Sequence, residues 1–104
     1  MADPTNKIPH LLGILLDASG IAKTNVVAIN RTTGNKLVRS TDANKRVIFD
    51  LSQMTDGYSA SDVIEFNNAG ASVGQTTITV NSATGGFQEA TMVTAASPTA
   101  SINL

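Results

Sequence analysis

Acid–base chemistry is the first thing to look for in this chain, which has eight Asp and Glu residues but a single histidine. That histidine, His10, lies between Pro9 and Leu11 at the start of an apolar stretch. An imidazole that activates a nucleophile needs a hydroxyl and an orienting carboxylate beside it. No Gly-x-Ser-x-Gly elbow accompanies His10, so it reads as an edge or surface histidine. The carboxylates Asp17, Asp42, Asp50, Asp56, Asp62, Glu65 and Glu89 could in principle pair for glycoside hydrolysis or bind calcium. None has the alternating spacing of a calcium loop. Asp42-Ala43-Asn44 comes nearest, and Lys45 would put a positive charge beside any ion there. Asp17, Asp42 and Asp56 sit where turns need Asx hydrogen bonds, which explains them without a metal. The residues therefore assign no catalytic, cofactor-binding or metal site, and a non-enzyme is expected.

Other signals are equally plain. Asn30-Arg31-Thr32 matches the glycosylation acceptor pattern, but no secretory signal accompanies it, so the match reads as incidental. Gly34, Gly57, Gly74 and Gly85-Gly86 are spread across turns and form no phosphate-cradling loop. Tyr58 reads as packing its ring over one end of the domain with its hydroxyl on a backbone partner. An exposed ring, able to stack on a sugar, is the alternative. A net charge of −1 supplies no basic field for nucleic acid. The absence of cysteine removes disulfides, thiolate catalysis and the usual structural zinc sites. Ile8–Leu16 is too short to span a bilayer, and no basic start with an apolar run opens the chain. Synthesis in the cytoplasm without export, and no membrane partner, are the expectations.

The elements that would position these residues are strands. Short apolar runs alternate with Gly, Asn, Asp and Ser clusters at the spacing of a sandwich or barrel, and a length of 104 residues suits one domain. Seven strands are expected, over Ile8–Leu16, Thr24–Asn30, Lys36–Thr41, Arg46–Leu51, Val63–Asn68, Thr76–Asn81 and Phe87 to about Thr94. Val47, Phe49 and Leu51 share one face, as do Ile64 with Phe66 and Ile78 with Val80. Phe49, Phe66 and Phe87 are expected as the largest core side chains. Ser59–Val63 is the best helical candidate, for one turn at most. The fold class is then an all-β, seven-stranded immunoglobulin-like sandwich over 8–94, with an N-terminal arm at 1–7 and a C-terminal tail at 95–104. Neither Trp nor a Cys pair, the markers of an antibody-type domain, is present.

The order of turns and strands carries a resemblance. Asp17-Ala18-Ser19-Gly20, Val26-Val27-Ala28-Ile29-Asn30 and Thr32-Thr33-Gly34 resemble the opening of a carboxypeptidase-regulatory-like domain. The similarity continues through Thr41-Asp42-Ala43-Asn44, Val47-Ile48-Phe49-Asp50-Leu51, Gly57-Tyr58 and Asp62-Val63-Ile64, and covers about Leu12 to Val80. It implies a transthyretin-like, or prealbumin-like, sandwich. The family usually has Gly directly after the Asp-Ala-Asn turn, where this chain has Lys45.

Such domains serve many roles, so fold alone does not choose among them. A free-standing copy looks most like the small accessory proteins that decorate tailed-phage capsids. That resemblance implies a structural attachment protein on the virion surface, with the major capsid protein or another virion protein as partner. Further copies of itself are a second expected partner. The terminal arms and the apolar first strand are the expected contacts. The competing expectation is a carbohydrate- or cell-surface-binding module, meeting a surface glycan through loops near Tyr58, Asn67-Asn68 and Asn81–Gly86.

Overall fold

The computed structural model describes residues 8–18, 20–68 and 75–94. The expected arm and tail, 1–7 and 95–104, lie outside the described residues. Seven strands follow in order: β1 (His10–Leu16), β2 (Asn25–Asn30), β3 (Lys36–Ser40), β4 (Arg46–Asp50), β5 (Val63–Asn68), β6 (Thr76–Thr79) and β7 (Gly86–Met92). They form two sheets of order β4-β1-β7 and β3-β2-β5-β6, packed as the expected seven-stranded immunoglobulin-like (prealbumin-like) sandwich. β1 pairs antiparallel with β4 and parallel with β7. β1 therefore lies in the three-stranded sheet, whereas the first strand of an antibody constant domain belongs to the ABED sheet.

Alternation decides which side chains enter the core. Leu12, Ile14 and Leu16 of β1, Val47 and Phe49 of β4, and Met92 of β7 are buried from one sheet. Val26 and Ala28 of β2, Ile64 and Phe66 of β5, and Ile78 of β6 meet them from the other. Phe49 and Phe66 touch across the layer with ring centroids 5.6 Å apart and planes tilted by 49°, a geometry that aromatic quadrupoles favour. Ile48, between Val47 and Phe49, is 56% exposed, so the period of two holds through β4.

Two expectations are corrected. Phe87 is not a core residue but half exposed. β7 is registered against β1 with Leu11 opposite Phe87 and Leu12 opposite Gln88. Phe87 and Glu89 therefore face outward, while Gln88, Ala90 and Met92 face inward. The helical turn is not at Ser59–Val63 either, where the Asp62 N–H closes a turn on the Ser59 carbonyl. It is a 3-10 turn at Leu51–Gln53, capped by the Asp50 carboxylate accepting from the Ser52 N–H.

Phe66 is fully buried, so Phe66→Ala is expected to lower unfolding free energy by about 3–5 kcal/mol, read by denaturant titration. A loss below about 1 kcal/mol would contradict this packing.

Candidate functional site

The histidine lies inside the fold. His10 opens the central strand of its sheet and is completely buried, which corrects the edge-or-surface reading. Its Nε2–H donates to the Gln88 Oε1 at 2.9 Å, because an amide oxygen can only accept. The same oxygen accepts from the Asn81 N–H, and the Gln88 amide nitrogen donates to the Thr79 carbonyl. Gln88 thus ties His10 to the β6–β7 link. Tyr58 lies against the imidazole at 5.5 Å between ring centroids and donates its hydroxyl to the Ile8 carbonyl. Its ring is buried, so it packs as expected and offers no platform for a sugar.

The loops expected to form a glycan site do not converge. Tyr58 and Gly86 both contact His10 at one end of the sandwich. Asn67-Asn68 closes the far end of β5, where the Asn68 N–H donates to Gln75. Asn30, the glycosylation-pattern asparagine, is fully buried. Its Nδ2 donates to Asp62, and its Oδ1 accepts from the Thr32 and Thr33 N–H groups.

Asp42 and Asp62 serve as turn acceptors and Asp50 as the cap of the 3-10 turn, whereas Asp17 and Asp56, expected as Asx-turn acceptors, bond groups remote in sequence, and Glu65 pairs with Arg31. Asp42 accepts from the N–H groups of Asn44 and Arg46. Those two bonds, Arg46 first, hold its carboxyl below the ordinary 3.8. Asp17 accepts from Thr94, Asp56 from Asn35, and Asp62 from Ser59. No group of three His, Cys, Asp or Glu side chains able to hold a metal occurs among the described residues. At the departure from the family pattern, Lys45 itself adopts the left-handed φ of 65°, the conformation for which glycine is suited.

What the fold does display is an apolar outer face on the β4-β1-β7 sheet. The outward positions are Arg46, Ile48 and Asp50 on β4, Leu11, Gly13 and Leu15 on β1, and Phe87, Glu89 and Thr91 on β7. Ile48, Phe87 and Leu15 are each more than a third exposed. Gly13 creates the relief, since a Cβ there would stand 3.1 Å from the Phe87 ring. A hollow of about 740 Å³ opens over this face, with Gly13 and Phe87 in its lining and Arg46 and Glu89 contributing opposite charges. It extends past β4 to Arg39 and Ser40 of β3. The apolar first strand was expected as a contact. Only its alternate residues reach this surface, the others filling the core.

No protein-family model, curated protein or solved structure matches the chain.

Chemically, this surface can bind by apolar contact and charge pairing. The pattern missed in the sequence is Leu11, Gly13, Leu15, Ile48 and Phe87 on one face. Its signal was the second apolar residue set in β1 and β4, but its assembly depends on pairing between distant strands.

Two outcomes follow from the Asp42 turn. Lys45→Gly is expected to raise stability by about 0.5–1 kcal/mol by relieving the left-handed residue, read by denaturant titration. The depressed carboxyl stabilises the folded state fully above 3.8, and this contribution is lost as pH falls through the lower folded value. Wild type is therefore expected to exceed Asp42→Asn in melting temperature at pH 6, the difference shrinking below pH 3.8.

Proposed function

We propose that this chain is a non-enzymatic attachment protein, and specifically an accessory protein that decorates the capsid surface of a tailed phage. The observation that supports attachment is the outer face of the β4-β1-β7 sheet, where Leu15, Ile48 and Phe87 stay exposed around Gly13. Contiguous apolar surface rimmed by charge marks interaction sites more often than it serves the fold. The sandwich itself acts as a rigid spacer, since its core is complete without these residues. The turns Asp17–Gly20 and Thr41–Asn44 support only the type of sandwich, and the virion assignment rests on the separate resemblance to the small accessory proteins of tailed phages. It implies a major capsid protein or another virion protein as partner and a place on the particle surface.

Leu15→Glu with Phe87→Glu tests the contact. Both side chains are substantially exposed, so the variant is expected to keep its melting temperature within a few degrees. Wild type is expected to co-sediment with capsids of the source phage, and the variant to remain in the supernatant. Undiminished binding by the variant would remove this face from the contact. Failure of wild type to bind, together with selective binding on a glycan array, would replace capsid attachment with carbohydrate recognition.

A further inference from the structure

The outer face of the β4-β1-β7 sheet carries charge as well as apolar surface, and the charge is ordered. From β4 through β1 to β7 its rows are Asp50–Leu11–Phe87, Ile48–Gly13–Glu89 and Arg46–Leu15–Thr91. Arg46 and Glu89 therefore stand diagonally across β1, with Gly13 and Leu15 between them. Neither side chain has an ion pair or hydrogen bond among the described residues, where the one ion pair joins Arg31 to Glu65. Asp42 feels the Arg46 charge, but its carboxylate is occupied by two backbone N–H groups. The Phe87 ring leans over Gly13, and Ile48, Leu15 and Phe87 all remain more than a third exposed.

A partner for this face has to offer an anion to Arg46, a cation to Glu89 and apolar side chains between them. The same face, turned over, offers all three. A two-fold axis in the plane of contact, passing between Ile48 and Gly13 and on beside Leu15, brings Arg46 of each copy to Glu89 of the other. With strands about 4.8 Å apart and about 3.4 Å of rise per residue, that axis makes the two sheets cross at about 70°. This is close to the orthogonal way in which sheets pack. Ile48 of each copy then enters the hollow beside Gly13, against the Phe87 ring of the other, and the two Leu15 side chains meet further along the axis. Asp50 comes nearest its own mate at the end of the axis, where its carboxylate is turned onto Ser52. No backbone group takes part, so the edge of β4, held at Arg46 by Asp42, stays as it is.

We infer that two copies of this chain pair face to face through their β4-β1-β7 sheets, with Arg46 of each against Glu89 of the other across a two-fold axis. Such an isologous contact closes on itself rather than growing into a filament. Three strands of five to seven residues make a small face. It measures on the order of 15 by 20 Å, below the roughly 800 Å² per partner of a standard interface, so the pair is weak and reversible. The pair covers the face to which attachment is assigned; that overlap rests on the attachment reading, and the pairing does not.

Sedimentation equilibrium at low ionic strength tests the pairing. Wild type is expected to show a reversible monomer–dimer equilibrium at micromolar to millimolar concentration. Glu89→Arg sets arginine against arginine at both contacts, and Arg46→Glu sets glutamate against glutamate. Each variant alone is expected to dimerise at least about tenfold more weakly than wild type. An equimolar mixture of the two restores opposite charges at both contacts and is expected to recover wild-type dimerisation, which neither a folding defect nor an unrelated interface would do. Both side chains point outward, so melting temperatures within a few degrees of wild type are expected. If either variant fails to fold, Ile48→Asp decides: its side chain is 56% exposed, and the protein is expected to be folded and monomeric. A wild type that stays monomeric at millimolar concentration overturns the inference. So does a mixture that dimerises no more tightly than the separate variants, or an Ile48→Asp protein that dimerises as tightly as wild type. A wild type that pairs without co-sedimenting with capsids would remove attachment alone, and one that co-sediments while monomeric at every concentration would remove the pairing alone.

Discussion

The parallel pairing of His10–Leu16 with Gly86–Met92 joins the first described strand to the last, and the core and the exposed face both take their form from it. β1 also pairs with β4 on its other side, so it is the one strand whose register fixes all three rows of its sheet. Leu12, Ile14 and Leu16 point into the core, while Leu11, Gly13 and Leu15 point out. A slip of one residue would exchange these sets, burying Gly13 where Leu12 and Ile14 now pack. The buried end of β1 opposes such a slip. His10 can reach Gln88, and Gly86 can lie against the imidazole with no Cβ to collide with it, only in the observed register.

Buried polar groups act as registration devices elsewhere too. Asn30 ends β2 and holds Asp62, just before β5, while its side-chain Oδ1 accepts from the Thr32 and Thr33 N–H groups. Asp62 in turn accepts from the Ser59 N–H. One buried pair therefore fixes the β2–β3 turn and the entry to β5 together. An unmatched buried amide or carboxylate would cost more than the bonds return, so this pair selects one arrangement of the loops rather than adding greatly to stability.

The strands are legible in the sequence to within two residues at each boundary, because Gly, Asn and Asp clusters bracket β-branched runs. The inward faces of β4 and β5 are legible too, from Val47 and Phe49 and from Ile64 and Phe66. β7 defeats the same reasoning. Phe87 is its largest apolar residue and invites burial, but the parity of β7 is set by pairing with β1, and Met92 takes the inward place. His10 misleads for a related reason. A lone imidazole reads as a surface group until Gln88 and Tyr58, from remote segments, supply its surroundings. The apolar outer face is invisible for the same cause, since it assembles only when three strands from both halves of the chain lie side by side.

The protection of the edges and the chemistry of the face are two consequences of one arrangement. In β4 the inward residues, Val47 and Phe49, are spent on the core, so only Arg46, Ile48 and Asp50 remain to meet the outside. A five-residue edge limits unselective strand pairing by its shortness, and charges at both ends limit it further. At the Arg46 end the edge is also covered, because Asp42 holds the outward N–H and C=O of Arg46. The segment from Lys36 to Asp50 carries four of the seven basic residues against two carboxylates, in a chain of net charge −1. Positive charge is thus concentrated on the β3–β4 side, where Asp42 and Asp50 are the carboxylates that offset it. Both charged ends of β4 are therefore fixed by the chain itself, Arg46 through Asp42 and Asp50 through its cap on Leu51–Gln53, so the edge is guarded by its own loops as well as by its charges.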